Sequence, residues 1–250
     1  MEALHQNNPM IKTRIAVAAR KGGVGKTSIA SGIASILITQ NKRVLVIDLD
    51  PQSNAAYSLG VDPTAPGTAE LLLGKYPTPL LAIPGLDVLP GGPNLTSQQI
   101  QSLHPEDLAD AIESLDYDAV ILDCPPGNES LERLGIVAAN VALVITNAHP
   151  FAIMGANRVM GVLDDYRSKS RRGPREWAIV MSQVDERRVL DKQLPQQLFD
   201  LYANVKNFTI HQDVNISQAG AQQLPLMEYA PKSRAAQELR EIADWASQIN

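Results

Sequence analysis

Runs of β-branched and aliphatic residues recur along this chain, separated by longer stretches in which apolar residues return every third or fourth position. RIAVAA (14–19), RVLVID (43–48), LDVLP (86–90), DAVILD (118–123), VALVIT (141–146), WAIVM (177–181) and NFTIH (207–211) read as strands. Several are apolar throughout rather than alternating, the pattern of parallel strands buried on both faces. The intervening segments 27–39, 105–115, 129–139, 151–166, 189–202 and 231–248 have the length of helices. This alternation predicts right-handed crossovers and an α/β fold, a doubly wound, mostly parallel sheet with helices on both faces. Residues 60–95, with VDPTAPGT, KYPTPLLAIPG and PGGPN, are expected to be an irregular excursion rather than a linker. Residues 1–12 are expected to form a flexible tail and 13–250 a single domain.

Composition narrows the class. With 250 residues, 44% of them hydrophobic, the chain can bury one substantial core. Aromatic residues make up 4%, so broad base-stacking platforms are not expected and aliphatic packing carries the interior. The longest apolar runs fall far short of the ~20 residues of a membrane span. The first dozen residues lack the apolar core of a signal peptide. The one cysteine, Cys124, excludes an intrachain disulfide and an all-cysteine metal site. A cytoplasmic protein is expected. The terminal helix has acidic residues offsetting its basic ones, so it is expected to pack on the sheet and not on a membrane surface.

The chemistry is concentrated in AVAARKGGVGKTSIA (16–30). It fits the phosphate-loop pattern GxxxxGK[ST] except at the first glycine, where Arg20 stands, followed by a second lysine, Lys21. Gly22, Gly23, Val24 and Gly25 let the backbone turn its N–H groups toward phosphate oxygens. The helix that opens at Lys26, Thr27 and Ser28 turns its positive end toward the same anion. Lys26 can reach the β- and γ-phosphates, and the Thr27 hydroxyl can ligate Mg²⁺. Asp123, at the tip of DAVILD, is placed to hold magnesium-bound water. Asp48 and Asp50 in VLVIDLDPQ lie two residues apart and are expected to project to one side and complete the site.

KGGVGKT, DLDPQSNAA and YDAVILDCPP together resemble the deviant Walker ATPases of the ParA/MinD group. ITNAHPFAIMGANRV and PLMEYAPKSRAAQELREIADW extend the likeness over nearly the whole chain, and DPQ and YAPKSRAAQE favour the ParA branch. The resemblance implies a slow, partner-stimulated ATPase that uses ATP and Mg²⁺. It further implies an ATP-sandwiched homodimer in which Lys21 reaches the neighbouring subunit's nucleotide. Asp50 would position the attacking water, and Asp48 and Asp123 would act on magnesium through water. A ParB-like adaptor would trigger hydrolysis, and the ATP form would coat the nucleoid by binding DNA without sequence preference.

One departure from the group bears on DNA. ParA proteins often read IPRNVRLAEA where this chain has IHQDVNISQA (210–219), so Gln212 and Asn215 replace two arginines and Asp213 adds an anion. The replacement cations are expected among Arg167, Lys169, Arg171, Arg172 and Arg175, in Lys232 and Arg234, and in Arg187 and Arg188. The dozen residues before the first strand are too few for a helix-turn-helix domain, so sequence-specific autoregulation is not expected. Two other classes compete. A MinD-like membrane-positioning ATPase needs the terminal helix for lipid. An iron–sulfur reductase on the same scaffold needs two cysteines per subunit. His104, His149 and His211 are too widely spaced to suggest a metal.

Overall fold

The computed structural model describes residues 13–168 and 172–249. Eight strands form one sheet: β1 (Thr13–Ala18), β2 (Val44–Asp48), β3 (Leu80–Ile83), β4 (Leu86–Leu89), β5 (Ala119–Asp123), β6 (Val141–Asn147), β7 (Glu176–Val184) and β8 (Lys206–His211). Their spatial order is β3-β4-β2-β5-β1-β6-β7-β8, and every pairing except β3 with β4 is parallel. Chain order therefore reverses at β1, with β2, β4 and β5 on one side and β6, β7 and β8 on the other. In open α/β sheets the carboxyl ends of the strands at such a reversal are where ligands bind.

The first helices are α1 (Lys26–Thr39), α2 (Asn54–Ser58), α3 (Thr68–Leu72), α4 (Gln98–Gln101), α5 (Asp107–Ile112) and α6 (Glu129–Ala138). They are followed by α7 (Pro150–Ser168), α8 (Val189–Leu201), α9 (Val214–Ala221), α10 (Leu226–Tyr229) and α11 (Arg234–Ser247). Successive residues of each central strand enter opposite core layers. Ile15 and Val17 pack with α1 and α11, whereas Ala16 and Ala18 pack with α6 and α7. That two-sided burial is why the runs are apolar throughout.

α1 is buried over most of its circumference and lies close under α11. A Cβ at Gly32 would meet Leu239 Cδ1 at 2.6 Å. On α11, Ala235, Ala236, Leu239, Ile242, Ala243 and Ala246 are fully buried, so its apolar face is occupied by the sheet and α1, as expected. No described helix is long and apolar enough to cross a membrane. The excursion at 60–95 is more ordered than its prolines suggest. Leu80–Ile83 turns through Pro84-Gly85, with Gly85 at φ 88°, to form the antiparallel edge hairpin with β4. The tail at 1–12 lies outside the described residues.

Candidate nucleotide site

The ends of β1, β2 and β5 bring the candidate residues together. Asp48 lies in register with Asp123 across the β2–β5 pair, and Val17 lies on the other side of Asp123. The backbone knits these ends: Leu49 N–H donates to Asp123 O at 3.0 Å, and Cys124 N–H to Val17 O at 3.1 Å. The loop leaving β1 turns through Gly23 at φ 75° and Gly25 at φ 86°, left-handed conformations that favour glycine. Gly25 is the N-cap of α1 and supplies no side chain, so the first N–H groups of the helix stay available to an anion.

Within this cradle Lys26 is 7% exposed. The Thr27 hydroxyl donates to Asp123 Oδ2 at 2.6 Å. The other oxygen, Asp123 Oδ1, is buried and has no hydrogen-bond partner. Burial raises the Asp123 carboxyl to about 6, against the pull of the Thr27 hydrogen bond and the Lys26 charge. A divalent cation beside Thr27 would provide the missing positive charge, and its water a donor for Oδ1, so the residues fit Mg²⁺. The described residues contain no group of three His, Cys, Asp or Glu side chains able to enclose a metal. Magnesium here would draw its ligands from Thr27, phosphate and water.

Asp48 and Asp50 differ more than their spacing suggests. Asp48 is fully buried, and each of its oxygens already accepts a backbone N–H, from Asp50 at 2.8 Å and Ala55 at 2.9 Å. It caps α2 in place of Ser53 and fixes the turn that carries Asp50. Burial, reinforced by the neighbouring Asp123 charge, holds its carboxyl well above the usual range. Asp50 is partly exposed, and among the described residues its carboxylate accepts just the Gln52 N–H, at 2.9 Å. Its backbone is pressed against the loop after β4, where a Cβ at Gly91 would fall 2.0 Å from Asp50 O.

Lys21 is partly exposed and makes no ion pair or hydrogen bond with any described residue. Its neighbour Arg20 is paired to Glu129 and Glu132. The loop is also tethered from β7, which the sequence did not announce. Ser182 Oγ donates toward Val24 O at 2.6 Å, and Gln183 Nε2 to Gly23 O at 3.0 Å. Gln183 itself sits at φ 57°, where the register of β7 and β8 shifts. Glutamine carries no signature for that conformation. Beside the loop lies a cavity of about 480 Å³, lined by Ser28, Asn147, Gln183, Arg188, Ile210 and Asp213 among others. Asn147 lines it, and its Oδ1 is buried and without a hydrogen-bond partner.

The candidate DNA residues do not form one surface. Arg167, at the end of α7, and Arg172 and Arg175, just before β7, lie at the amino ends of the strands, so the nine residues of β7, roughly 30 Å, separate them from the phosphate loop. Arg167 stacks 3.9 Å from the Trp177 ring centroid, and Arg172 pairs with Asp110 at 2.5 Å. Arg175 donates its backbone N–H to Asn140 O at 2.9 Å. Lys169 and Arg171 lie outside the described residues. Lys232 and Arg234 stand at the opposite, nucleotide end, where Arg234 is paired to Glu238 and Glu186. Asp213 is a structural anion whose oxygens cap α9 through Asn215 N–H and α11 through Ala235 N–H. The buried Cys124 thiol is pushed up by desolvation and is no nucleophile.

A glycine-turned loop on a helix N-terminus, a buried lysine and a hydroxyl–aspartate pair at a sheet reversal define a P-loop nucleoside triphosphatase. An AAA domain family model matches residues 12–173. The chromosome-partitioning ATPase Soj of Thermus thermophilus is 32% identical over 92% of this chain and 94% of its own. The chromosome partitioning protein ParA of Caulobacter vibrioides is 29% identical over 92% and 91%. Among solved structures, an ATP complex of a Cyanothece McdA variant superposes with a TM-score of 0.82 at 20% identity, covering 96% of this chain and 98% of that one. The chain belongs to the ParA/MinD family of ATPases.

Proposed function

We propose that this ParA-like ATPase is a nucleotide-driven positioning switch. Two chains close on ATP, the closed homodimer holds DNA without sequence preference, and a ParB-like partner releases it by stimulating hydrolysis. The cargo is a DNA molecule or another intracellular assembly carried over the nucleoid. The observation that carries this reading is Lys21. Its ammonium stands at the mouth of the cradle with no partner among the described residues, while the adjacent Arg20 is neutralised within its own chain. A cation left free beside a triphosphate site is available to a second copy's ATP, and loss of the γ-phosphate weakens that bridge.

In this cycle the loop amides and Lys26 bind the phosphates. Mg²⁺, when bound, would supply positive charge against the phosphates. Thr27 would hold it through its hydroxyl, and Asp123 and, behind it, Asp48 would hold its waters. Asp50, partly exposed and lightly engaged, orients the attacking water rather than taking its proton. The cavity beside Ser28 has room for a base and ribose, and the Asn147 amide on its wall is the polar group set to recognise the base. Sandwiching two copies doubles every cationic contact with DNA, which offsets the missing arginines at 212 and 215.

The test compares wild type, Lys21→Ala and Asp50→Ala for ATP-dependent dimerisation and retention of random-sequence duplex at two salt concentrations. Lys21→Ala is expected to remain monomeric and Asp50→Ala to accumulate a long-lived, DNA-competent dimer. ATP dimers that never retain DNA would remove the nucleoid part of the reading.

A further inference from the structure

Arg20 stands where a standard phosphate loop has its first glycine, and its side chain turns away from the cradle to α6. Nη1 lies 2.5 Å from Glu129 Oε1 and Nε 3.0 Å from Glu132 Oε2. Both carboxylates stand in the first turn of α6, so one guanidinium grips that turn at two points. The partners differ sharply in exposure, 71% for the Glu129 side chain and 3% for that of Glu132, with Arg20 at 17%. Neither Glu132 oxygen completes an aligned hydrogen bond, so charge alone holds the buried half of the contact. Burial pushes the Glu132 carboxyl up, and the Arg20 charge is the main influence pulling it back. On the other side α7 closes in, since a Cβ at Gly155 would lie 3.1 Å from Arg20 Cβ.

α6 is attached to the chemistry by a short segment. Asp123 ends β5, residues 124–128 follow, and α6 begins at Glu129 with Asn128 as its cap. Within that segment Pro126 Cγ lies 4.0 Å from the position a Cβ would take at Gly22. The magnesium-side carboxylate is thus joined by covalent chain to α6, and α6 is joined by Arg20 to the residue before Lys21. A shift of residues 124–128 cannot leave the base of the loop untouched while both ion pairs hold.

The geometry points to Arg20 as a positioning residue that, through Glu129 and Glu132, sets the place from which Lys21 meets a second copy of this chain. The inference rests on the dimer reading above and adds the element that couples the loop after β5 to the cross-subunit contact. The competing account is a buried ion pair that only stabilises the monomer, which such pairs often do.

The decisive variant is the double substitution Arg20→Gln/Glu132→Gln, which removes both charges together and strands neither. ADP affinity is measured by calorimetry and dimerisation by sedimentation with a non-hydrolysable ATP analogue. Turnover is followed against protein concentration. ADP affinity is expected within about threefold of wild type and the dimer dissociation constant about tenfold or more higher. Raising the protein concentration then restores kcat. Wild-type dimerisation overturns the inference, and so does a parallel loss of ADP affinity, which marks a general collapse of the loop. Should the double variant not fold, Arg20→Lys replaces it. That side chain keeps a charge near Glu132 but lacks the two separated, fixed nitrogens with which Arg20 meets Glu129 and Glu132, and an unchanged dimer dissociation constant overturns the inference equally. Lys21→Ala, run alongside, separates the two levels. If it dimerises normally, the dimer reading itself fails. If it stays monomeric while the Arg20 variants pair normally, only the role of Arg20 falls.

Discussion

The two ends of the sheet hold charge in opposite ways. At the amino ends, Arg43 is paired bidentately to Asp116 and Arg172 to Asp110, side chains that are a third to nearly two-thirds exposed. Each of these two cations has its anion, and water screens both pairs. At the carboxyl ends, Asp48, Asp123 and Lys26 are buried, Asp123 has an oxygen with no donor, and two carboxylates face each other across neighbouring strands. Low dielectric makes that arrangement costly without a ligand. The contrast shows where binding energy is held ready. One end is electrostatically finished, and the other is completed by a cation and a phosphate chain.

Breaking the contrast at its strongest point should give the largest effect. Lys26→Ala leaves the phosphates without their buried ammonium, and ATP affinity measured by calorimetry is expected to fall about 100-fold or more. Retention of near-normal affinity would mean that the loop amides alone do the binding.

Next comes Asp123→Asn. The folded chain keeps a proton on this carboxyl up to about pH 6, whereas an ordinary aspartate releases it near 3.8. Folding therefore takes up protons between those values, and the nucleotide-free protein loses stability as pH rises through that window. The amide removes the loss, so its melting temperature at pH 7 should exceed that of wild type by a few degrees, about 1–3 kcal/mol. The gain should shrink toward pH 5. The same variant should lose magnesium-dependent nucleotide binding, and wild-type binding of Mg²⁺–nucleotide should weaken below pH 6.

At the finished end, effects should be smaller and of another kind. Reversing Arg171 and Arg172 to Glu is expected to weaken DNA retention several-fold and flatten its salt dependence, with nucleotide affinity unchanged. Unaltered retention would move the DNA surface to the nucleotide end, around Arg187, Arg188 and Lys232. Arg43→Ala should be nearly silent, shifting the melting temperature by about a degree or less, as exposed pairs do.

The strands of the central sheet were legible because two-sided burial writes itself as uninterrupted aliphatic runs. β3 was not, since four residues between prolines at a sheet edge have neither length nor alternation to betray them. α2 escaped for a different reason: it is only five residues long, and the carboxylate that caps it is Asp48, six residues before the helix, not the Ser53 that directly precedes it. In the site, the loop and Asp123 could be read from spacing. The unlike burial of Asp48 and Asp50 could not, because it depends on where the chain turns after β2. Nor could the tethers from Ser182 and Gln183, or the split of the basic residues between two ends, which only the strand order reveals.

Gly91 has a consequence for tempo. No atom wider than hydrogen fits between it and the carbonyl of Asp50, so the stretch after β4 acts as a mould that sets the acid's backbone. A methyl group added there would displace the residue proposed to aim water while leaving every phosphate contact in place. On the proposed role of Asp50, the lifetime of bound ATP is expected to depend on this glycine outside the phosphate loop.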